Sequence, residues 1–100
     1  MWPFADNWSA WFSPATNRLL VTGVVNAPVG YTAFLERKPK LAVQVVYLKV
    51  VFVQGVIPVA NPQRIFYQEI LPEGYKPSAV RILYGAHKDG LLLEICLINE

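Results

Sequence analysis

The sequence predicts an all-β domain: an antiparallel β-sandwich of about seven strands, with a small β-barrel as the alternative closure of the same strands. The central observation is residues 41–55, LAVQVVYLKVVFVQG, which hold six Val in fifteen positions and no Pro or Asp. Such residues suit a pleated, half-buried surface and lose side-chain freedom in a helix. Turns rich in Pro and Gly divide the rest of the chain into short segments, and no long helix can be placed.

The length of 100 residues predicts one domain, 1–100, with an aromatic-rich N-terminal segment at 1–16 and the β-sandwich at 17–100. The composition is 54% hydrophobic and only 16% charged, against a usual charged share of about 25%. This composition argues against disorder and favours self-association, because a monomer of this size would expose much apolar surface. The formal net charge of +2 is near neutral and gives little support for nucleic-acid binding.

The polar residues of the central stretch predict a break in it. Side chains of like parity share one face of a strand, so Lys49 would lie among valines while Gln44 and Gln54 take the other face. Fifteen residues in a row would also be far longer than a usual strand. We therefore expect two strands, or one strand that changes sheets, with the break close to Lys49.

Alternating apolar residues between turn signals predict the other strands. They cover residues 19–25, 31–36, 64–71, 79–84 and 91–98. The first two are expected to form a hairpin around a turn at 26–30. The Asp89-Gly90 dipeptide predicts a second hairpin turn, between the last two strands.

This layout resembles that of immunoglobulin-like sandwiches of about 100 residues. Tyr75, just before the strand that begins at Ala79, resembles the corner tyrosine of such folds. The cysteine pair and core tryptophan of those domains are missing, since Cys96 is the single cysteine and the three Trp lie near the N-terminus. The resemblance is one of layout and does not extend to a family.

Aromatic residues crowd the N-terminus, at Trp2, Phe4, Trp8, Trp11 and Phe12. Their spacings of three and four fit a short helical turn, whereas Trp8, Ala10 and Phe12 would share one face of a strand. The rings either close one end of the core or remain exposed as a partner-binding or dimer surface, since Trp is enriched at interface hot spots. The five residues are therefore a candidate interface.

One basic cluster, Arg37, Lys38 and Lys40, stands where a loop should enter the central stretch. A solvated loop is its simplest interpretation, and contact with phosphate or another anionic surface is the alternative. Three charges release too few counterions for tight nucleic-acid binding. Cys96, inside LLLEICLI, is expected to be a small buried apolar side chain.

The sequence offers no pattern for catalysis, a metal or a cofactor. His87 is the only histidine, and one His among scattered carboxylates does not make a zinc site. A nucleophile needs a base beside it, yet strand rise would separate His87 from Cys96 by about 20 Å. Glycines do not cluster, so no phosphate-binding loop is predicted. We expect a protein that is not an enzyme.

The N-terminus lacks the basic start and apolar run of a secretion signal, so a cytoplasmic location without a transmembrane segment is the default expectation. The expected function is a non-catalytic interaction or structural module that binds a protein partner or a second copy of itself. Open sheet edges and the N-terminal aromatics would supply the contacts. The alternative is a small barrel that binds an apolar ligand or single-stranded nucleic acid.

Overall fold

The computed structural model describes residues 8–38, 44–55, 62–84 and 87–97, with the backbone alone at residue 84 and residues 87–89. These residues form the strands β1 Ser9–Ser13, β2 Arg18–Val25, β3 Tyr31–Arg37, β4 Val45–Gln54, β5 Gln63–Ile70, β6 Ala79–Tyr84 and β7 His87–Leu97. No residue in the described ranges is helical, and the all-β prediction is confirmed. None of these ranges contains a helix with the length and hydrophobicity needed to cross a membrane.

The strands form one mixed sheet in the order β3-β4-β6-β7-β1-β2-β5. The pairs β4/β6 and β7/β1 are parallel, and the other pairs are antiparallel. The purely antiparallel arrangement expected from the sequence is therefore wrong. The physical reason is that the chain crosses between the two halves of the sheet: β5 lies at one end of the order, whereas β4 and β6 pair with each other near the opposite end.

The two ends of this sheet come together, so the molecule approaches a closed barrel. Side chains of the end strands β3 and β5 bond across the gap between them. Strand β7 joins the two halves, because residues 87–94 pair with β6 and residues 95–97 pair with β1. A two-layer, immunoglobulin-like sandwich is not confirmed, although Tyr75 packs on the core with its hydroxyl 3.4 Å from the Val45 carbonyl oxygen. The small barrel describes this single sheet better.

Alternation along the strands places one set of side chains inside the barrel. In β2, Leu19, Val21 and Val25 are fully buried and Gly23 is buried on the same face, whereas the residues that alternate with them are only partly buried. The other buried apolar residues come from β1, β3, β4, β5, β6 and two loops: Ala10, Phe12, Ala27, Ala33, Val46, Leu48, Val50, Ile65, Leu71, Val80 and Ile82. The core therefore fills the space that the curved sheet encloses.

Strand β4 is continuous through Lys49, so the predicted break there is wrong. Its even-numbered residues from 46 to 50 are buried, whereas Lys49 lies on the outward face. A lysine on that face requires no bend, because its ammonium group can reach water while its stem covers apolar surface. The irregular backbone lies just before the strand instead, at Gln44, whose φ is 67°.

The predicted hairpins differ from the observed pairings. Strand β2 lies between β1 and β5, and β3 pairs with β4, so the expected β2/β3 hairpin is wrong. Strands β6 and β7 do pair in antiparallel fashion, but Asp89 and Gly90 lie inside β7. Gly90 has a φ of 57°, and a Cβ there would collide with the Ile82 carbonyl oxygen where the register shifts. The Asp-Gly signal thus marks a bulge and not the hairpin turn.

Cys96 is exposed, so the prediction that it is buried is wrong. On β7, Leu92, Glu94 and Cys96 point outward, while the residues between them face the core. Both faces of the strand carry apolar residues, yet within the described residues only its inner face packs on the core.

Candidate binding site between strands β3 and β5

The seam is the space between β3 and β5, the end strands of the sheet. The successive pairings across the sheet require these two strands to run in the same direction. Among the described residues, no backbone hydrogen bond joins them. Side chains join them instead, so both strands keep an edge of backbone donors and acceptors that no ladder uses.

The Gln63 side chain closes one end of the seam. Its Oε1 accepts a hydrogen bond from the Ala33 amide at 2.9 Å, and its Nε2 donates to the Tyr31 carbonyl at 2.8 Å. A residue of a parallel strand opposite Thr32 would bond the same two groups with its own backbone. The buried Gln63 amide thus substitutes for a peptide group, and the bonds satisfy both of its polar ends.

Arg37, Glu69 and Tyr67 close the other end of the seam. Arg37 Nη1 lies 2.7 Å and 2.8 Å from the two carboxylate oxygens of Glu69, and the Tyr67 hydroxyl donates to Glu69 Oε1. Burial raises the pKa of Tyr67 to about 12, helped by the hydrogen bond and the negative charge of Glu69. The phenol therefore remains a protonated donor even at pH values above 10.

A groove of about 450 Å³, the seam groove, follows the seam near Gln63. It is lined by residues 32–34 of β3 and residues 62–66 at the start of β5. Phe34 and Phe66 stand on its two sides and are 50% and 62% exposed. Two large aromatic side chains left in water on either side of one groove mark a surface suited to a partner.

Further apolar surface and one cation adjoin the two rings. Val53 of β4 is exposed and lies opposite Thr32 in the β3/β4 register. Arg64 is exposed and lines the groove, and no ion pair of Arg64 occurs within the described part of the chain. The surface thus combines apolar anchors, a positive charge and strand edges without a ladder.

A second cavity of about 430 Å³, the end pocket, lies where β1 and β7 finish and where the loop before β6 passes. It is lined by Phe12, Pro14, Ile95, Leu97 and residues 76–78. The end pocket and the seam groove share no lining residue. They are therefore separate candidate sites.

The predicted N-terminal interface is described in part. Residues 9–13 form a strand, in which Phe12 faces the core at 2% exposure and Trp11 is half-buried on the outward side. The strand alternative for this segment is thus the observed one. Trp2 and Phe4 lie outside the described residues, and the interface role of the aromatic set remains a prediction.

Trp8 packs across the neighbouring strand β2. Its indole N–H donates to the Val24 carbonyl at 3.1 Å. Its ring lies against Gly23, where a Cβ would overlap the indole atoms. The glycine that interrupts the apolar pattern of β2 therefore provides the space for this ring.

The basic cluster is divided by the structure. The Arg37 guanidinium is held by Glu69, and the Lys38 amide donates to the Tyr47 carbonyl at 2.9 Å, beside the start of β4. Lys40 lies outside the described residues. Contact of this cluster with an anion remains a prediction.

Hydrophobic alternation and turn signals do not identify the residues of the seam groove as a site. A signal exists for the two rings, because Phe34 shares its strand face with Glu36, and Phe66 shares its face with Gln68. Each is thus an aromatic residue on the polar side of an amphipathic strand. Gln63 carries no comparable signal, since its partners belong to a strand thirty residues away in sequence.

Within the described ranges, no three His, Cys, Asp or Glu residues come together as a set that could hold a metal ion. No protein-family model, curated protein or solved structure matches this chain. Inference about function therefore starts from the geometry of the seam groove and the end pocket.

Proposed function

We propose that this protein is a non-catalytic interaction module that binds an extended segment of another polypeptide along the seam groove. The observation that carries the proposal is the position of two exposed rings, Phe34 and Phe66, beside two strand edges without a backbone ladder. The low charged share of 16% makes a second copy of the chain the partner to test first.

The backbone of β3 supports this mode of binding. The Ala33 amide and the Tyr31 carbonyl point toward β5, and alternation along a strand places the amide and carbonyl of Leu35 on the same side. An extended segment can bond to such an edge while its alternate side chains enter pockets. A partner strand would therefore bond to β3 at Leu35, between the Gln63 hydrogen bonds at one end of the seam and the Arg37–Glu69 pair at the other.

The side chains of the groove define what the partner should present. An apolar side chain would lie between Phe34 and Phe66, and covering the exposed part of each ring would contribute roughly 1 kcal/mol. An acidic side chain next to it would meet the charge of Arg64. The preferred segment is thus extended, with a bulky apolar residue and a nearby Asp or Glu.

Multi-angle light scattering over a series of concentrations tests whether the partner is a second copy of the chain. We expect the molar mass of the wild type to rise with concentration and that of a Phe34→Ser, Phe66→Ser double variant to stay at the monomer value. Leu92→Ser is the matched control, because Leu92 is 51% exposed on the outer face of β7, away from the seam groove. The control should behave like the wild type.

A display selection with random peptides tests whether the partner is a different polypeptide. Peptides enriched on the wild type should lose binding to the double variant and retain binding to Leu92→Ser. A wild type that stays monomeric and also enriches no peptide with this dependence contradicts the proposal.

A further inference from the structure

The end pocket is a mostly apolar cavity that reaches from the core to the surface. Its apolar lining residues are Phe12, Pro14, Pro77, Ile95 and Leu97. Phe12 is 2% exposed and Leu97 is 66% exposed, so the cavity joins buried and exposed apolar surface. Its volume of about 430 Å³ falls in the range of roughly 300–1,000 Å³ that is usual for small-molecule sites.

Hydrogen bonds hold the wall of the pocket at Ser78. The Ser78 amide and hydroxyl lie 2.7 Å and 3.2 Å from the Gln44 carbonyl oxygen, to which both donate. The Ser78 carbonyl accepts a bond from the Ile95 amide at 3.3 Å. The neighbouring prolines have restricted backbones, so the wall is largely formed before a ligand arrives and the cost of ordering it is small.

Lys76 supplies the charge of the pocket. It lines the cavity, and none of the described lining residues is a carboxylate. No ion pair of Lys76 occurs in the ranges that the structure describes. The Ser78 amide, hydroxyl and carbonyl already take part in hydrogen bonds, so the exposed Lys76 side chain is the charged group of the described lining that is left for an anionic ligand.

We propose that the end pocket binds a small organic carboxylate with an apolar body, of the class of medium-chain fatty acids. The apolar body lies against Phe12, Ile95 and Leu97, and the carboxylate lies at the Lys76 ammonium. The site is independent of the seam groove and of the interaction proposed there.

Titration of isotope-labelled protein with octanoate, followed by amide chemical shifts, tests the assignment. We expect saturable shifts at Ser78, Ile95 and Leu97, and weaker binding of the uncharged 1-octanol. Lys76→Gln should weaken octanoate binding roughly fivefold, the effect of losing about 1 kcal/mol of charge attraction. Lys49→Gln, on the outward face of β4, is the matched control and should leave the affinity unchanged.

A second pair of variants separates binding from folding. Leu97→Glu places a negative charge on the rim and should reduce octanoate binding more than Lys76→Gln does. Leu92→Glu, on the same strand but outside the pocket, should have no effect. Both leucines are exposed, so neither substitution removes core packing.

Several outcomes overturn the proposal. The first is that no saturable chemical-shift change occurs up to about 10 mM octanoate, a concentration at which even weak binding of a ligand of this size would be seen. The second is equal affinity for octanoate and 1-octanol, which would show that the charge does not matter. The third is chemical-shift changes confined to residues 32–34 and 62–66, which would place the ligand in the seam groove. Binding that occurs only after residues 98–100 are removed also overturns it, because the occupant would then be the end of the chain itself.

Discussion

The Gln63 side-chain oxygen accepts the hydrogen bond of the Ala33 amide at 2.9 Å, in the place where a backbone carbonyl of a neighbouring strand would stand. The Gln63 side chain thus supplies the two hydrogen bonds that the backbone of a neighbouring strand supplies elsewhere in the sheet. The seam consequently has fewer backbone bonds than any other strand pair in the described chain. Regions of this kind open at lower free energy than the rest of a fold, as a surface that accepts a partner strand requires.

Replacing Gln63 by Leu should lower the free energy of unfolding by about 2 kcal/mol, because the variant loses two bonds and leaves the Ala33 amide and Tyr31 carbonyl without them. Urea denaturation measures the change. Gln68→Leu is the control, since Gln68 is exposed on the same strand, and it should stay within about 0.5 kcal/mol of the wild type. Equal effects of the two substitutions would show that Gln63 does not close the seam.

Gly23→Ala should destabilise the protein by roughly 1–3 kcal/mol, because the added methyl group forces the Trp8 ring from its position and overpacks the site. In the background of Trp8→Leu the same substitution should cost much less. A double-mutant cycle on the free energies of unfolding measures this coupling. Additive effects of the two substitutions would contradict the contact.

The pKa of the Tyr67 hydroxyl should lie well above the usual value of a tyrosine in the folded protein. Its folded-state pKa of about 12 lies above the reference value of 10.0, so the folded state holds this proton more tightly and its contribution to stability is complete below pH 10 and lost between pH 10 and about 12. The difference in unfolding free energy between wild type and Tyr67→Phe should therefore shrink over that interval. A difference that is constant with pH contradicts the assignment.

The ultraviolet titration of tyrosinate gives a second measure of the same group. The ionisation step near pH 12 should be absent from Tyr67→Phe. Glu69→Gln should lower the pKa of Tyr67, because the variant removes a negative charge and a charged acceptor, but burial should keep it above the usual value.

The Cys96 thiol should react with Ellman's reagent in the native protein, because it is exposed on the outer face of β7. Cys96→Ser should change the free energy of unfolding by less than about 0.5 kcal/mol, as is usual for surface positions. A thiol that reacts only in denaturant would place Cys96 inside and would contradict the register of β7.

Removing residues 1–7 should leave a folded protein, whereas removing residues 1–12 should not. Strand β1 lies between β2 and β7, and loss of the buried Phe12 side chain alone costs roughly 3–5 kcal/mol, against a usual total stability of about 5–15 kcal/mol. Circular dichroism and cooperative unfolding compare the two variants. A well-folded protein after removal of residues 1–12 would contradict the interior position of β1.

The shorter deletion also tests the N-terminal aromatic interface. If Trp2 and Phe4 belong to a dimer surface, the variant without residues 1–7 should show a lower molar mass at high concentration than the full chain. An unchanged molar mass would contradict an interface role of Trp2 and Phe4.

Sequence patterns predict most strand positions, because alternation of apolar residues reports directly which side chains are buried. The segments predicted at 19–25, 31–36 and 79–84 agree closely with β2, β3 and β6. Lys49 shows a limit of such patterns. It does share a strand face with valines, as the alternation predicts, but that face is the outward one and needs no break in the strand. Parity separates two faces of a strand without telling which of them is covered.

Strand pairing depends largely on distant parts of the chain, and of the two hairpin pairings expected from local turn signals only the antiparallel β6/β7 pair is observed. Strands β2 and β3 follow one another in sequence, yet β2 obtains both of its partners from other segments. The seam depends on such distant contacts as well, since Gln63 and Ala33 meet only after the whole sheet has curved. The candidate site therefore required the three-dimensional arrangement.

The central claim is that side chains, and not a backbone ladder, close the sheet between β3 and β5. Scalar coupling across hydrogen bonds, measured by NMR from the Ala33 amide nitrogen, identifies the carbon of the accepting group. We expect a coupling to Cδ of the Gln63 side chain. A coupling from Ala33 to a backbone carbonyl carbon of β5 would show a closed ladder and would contradict the claim.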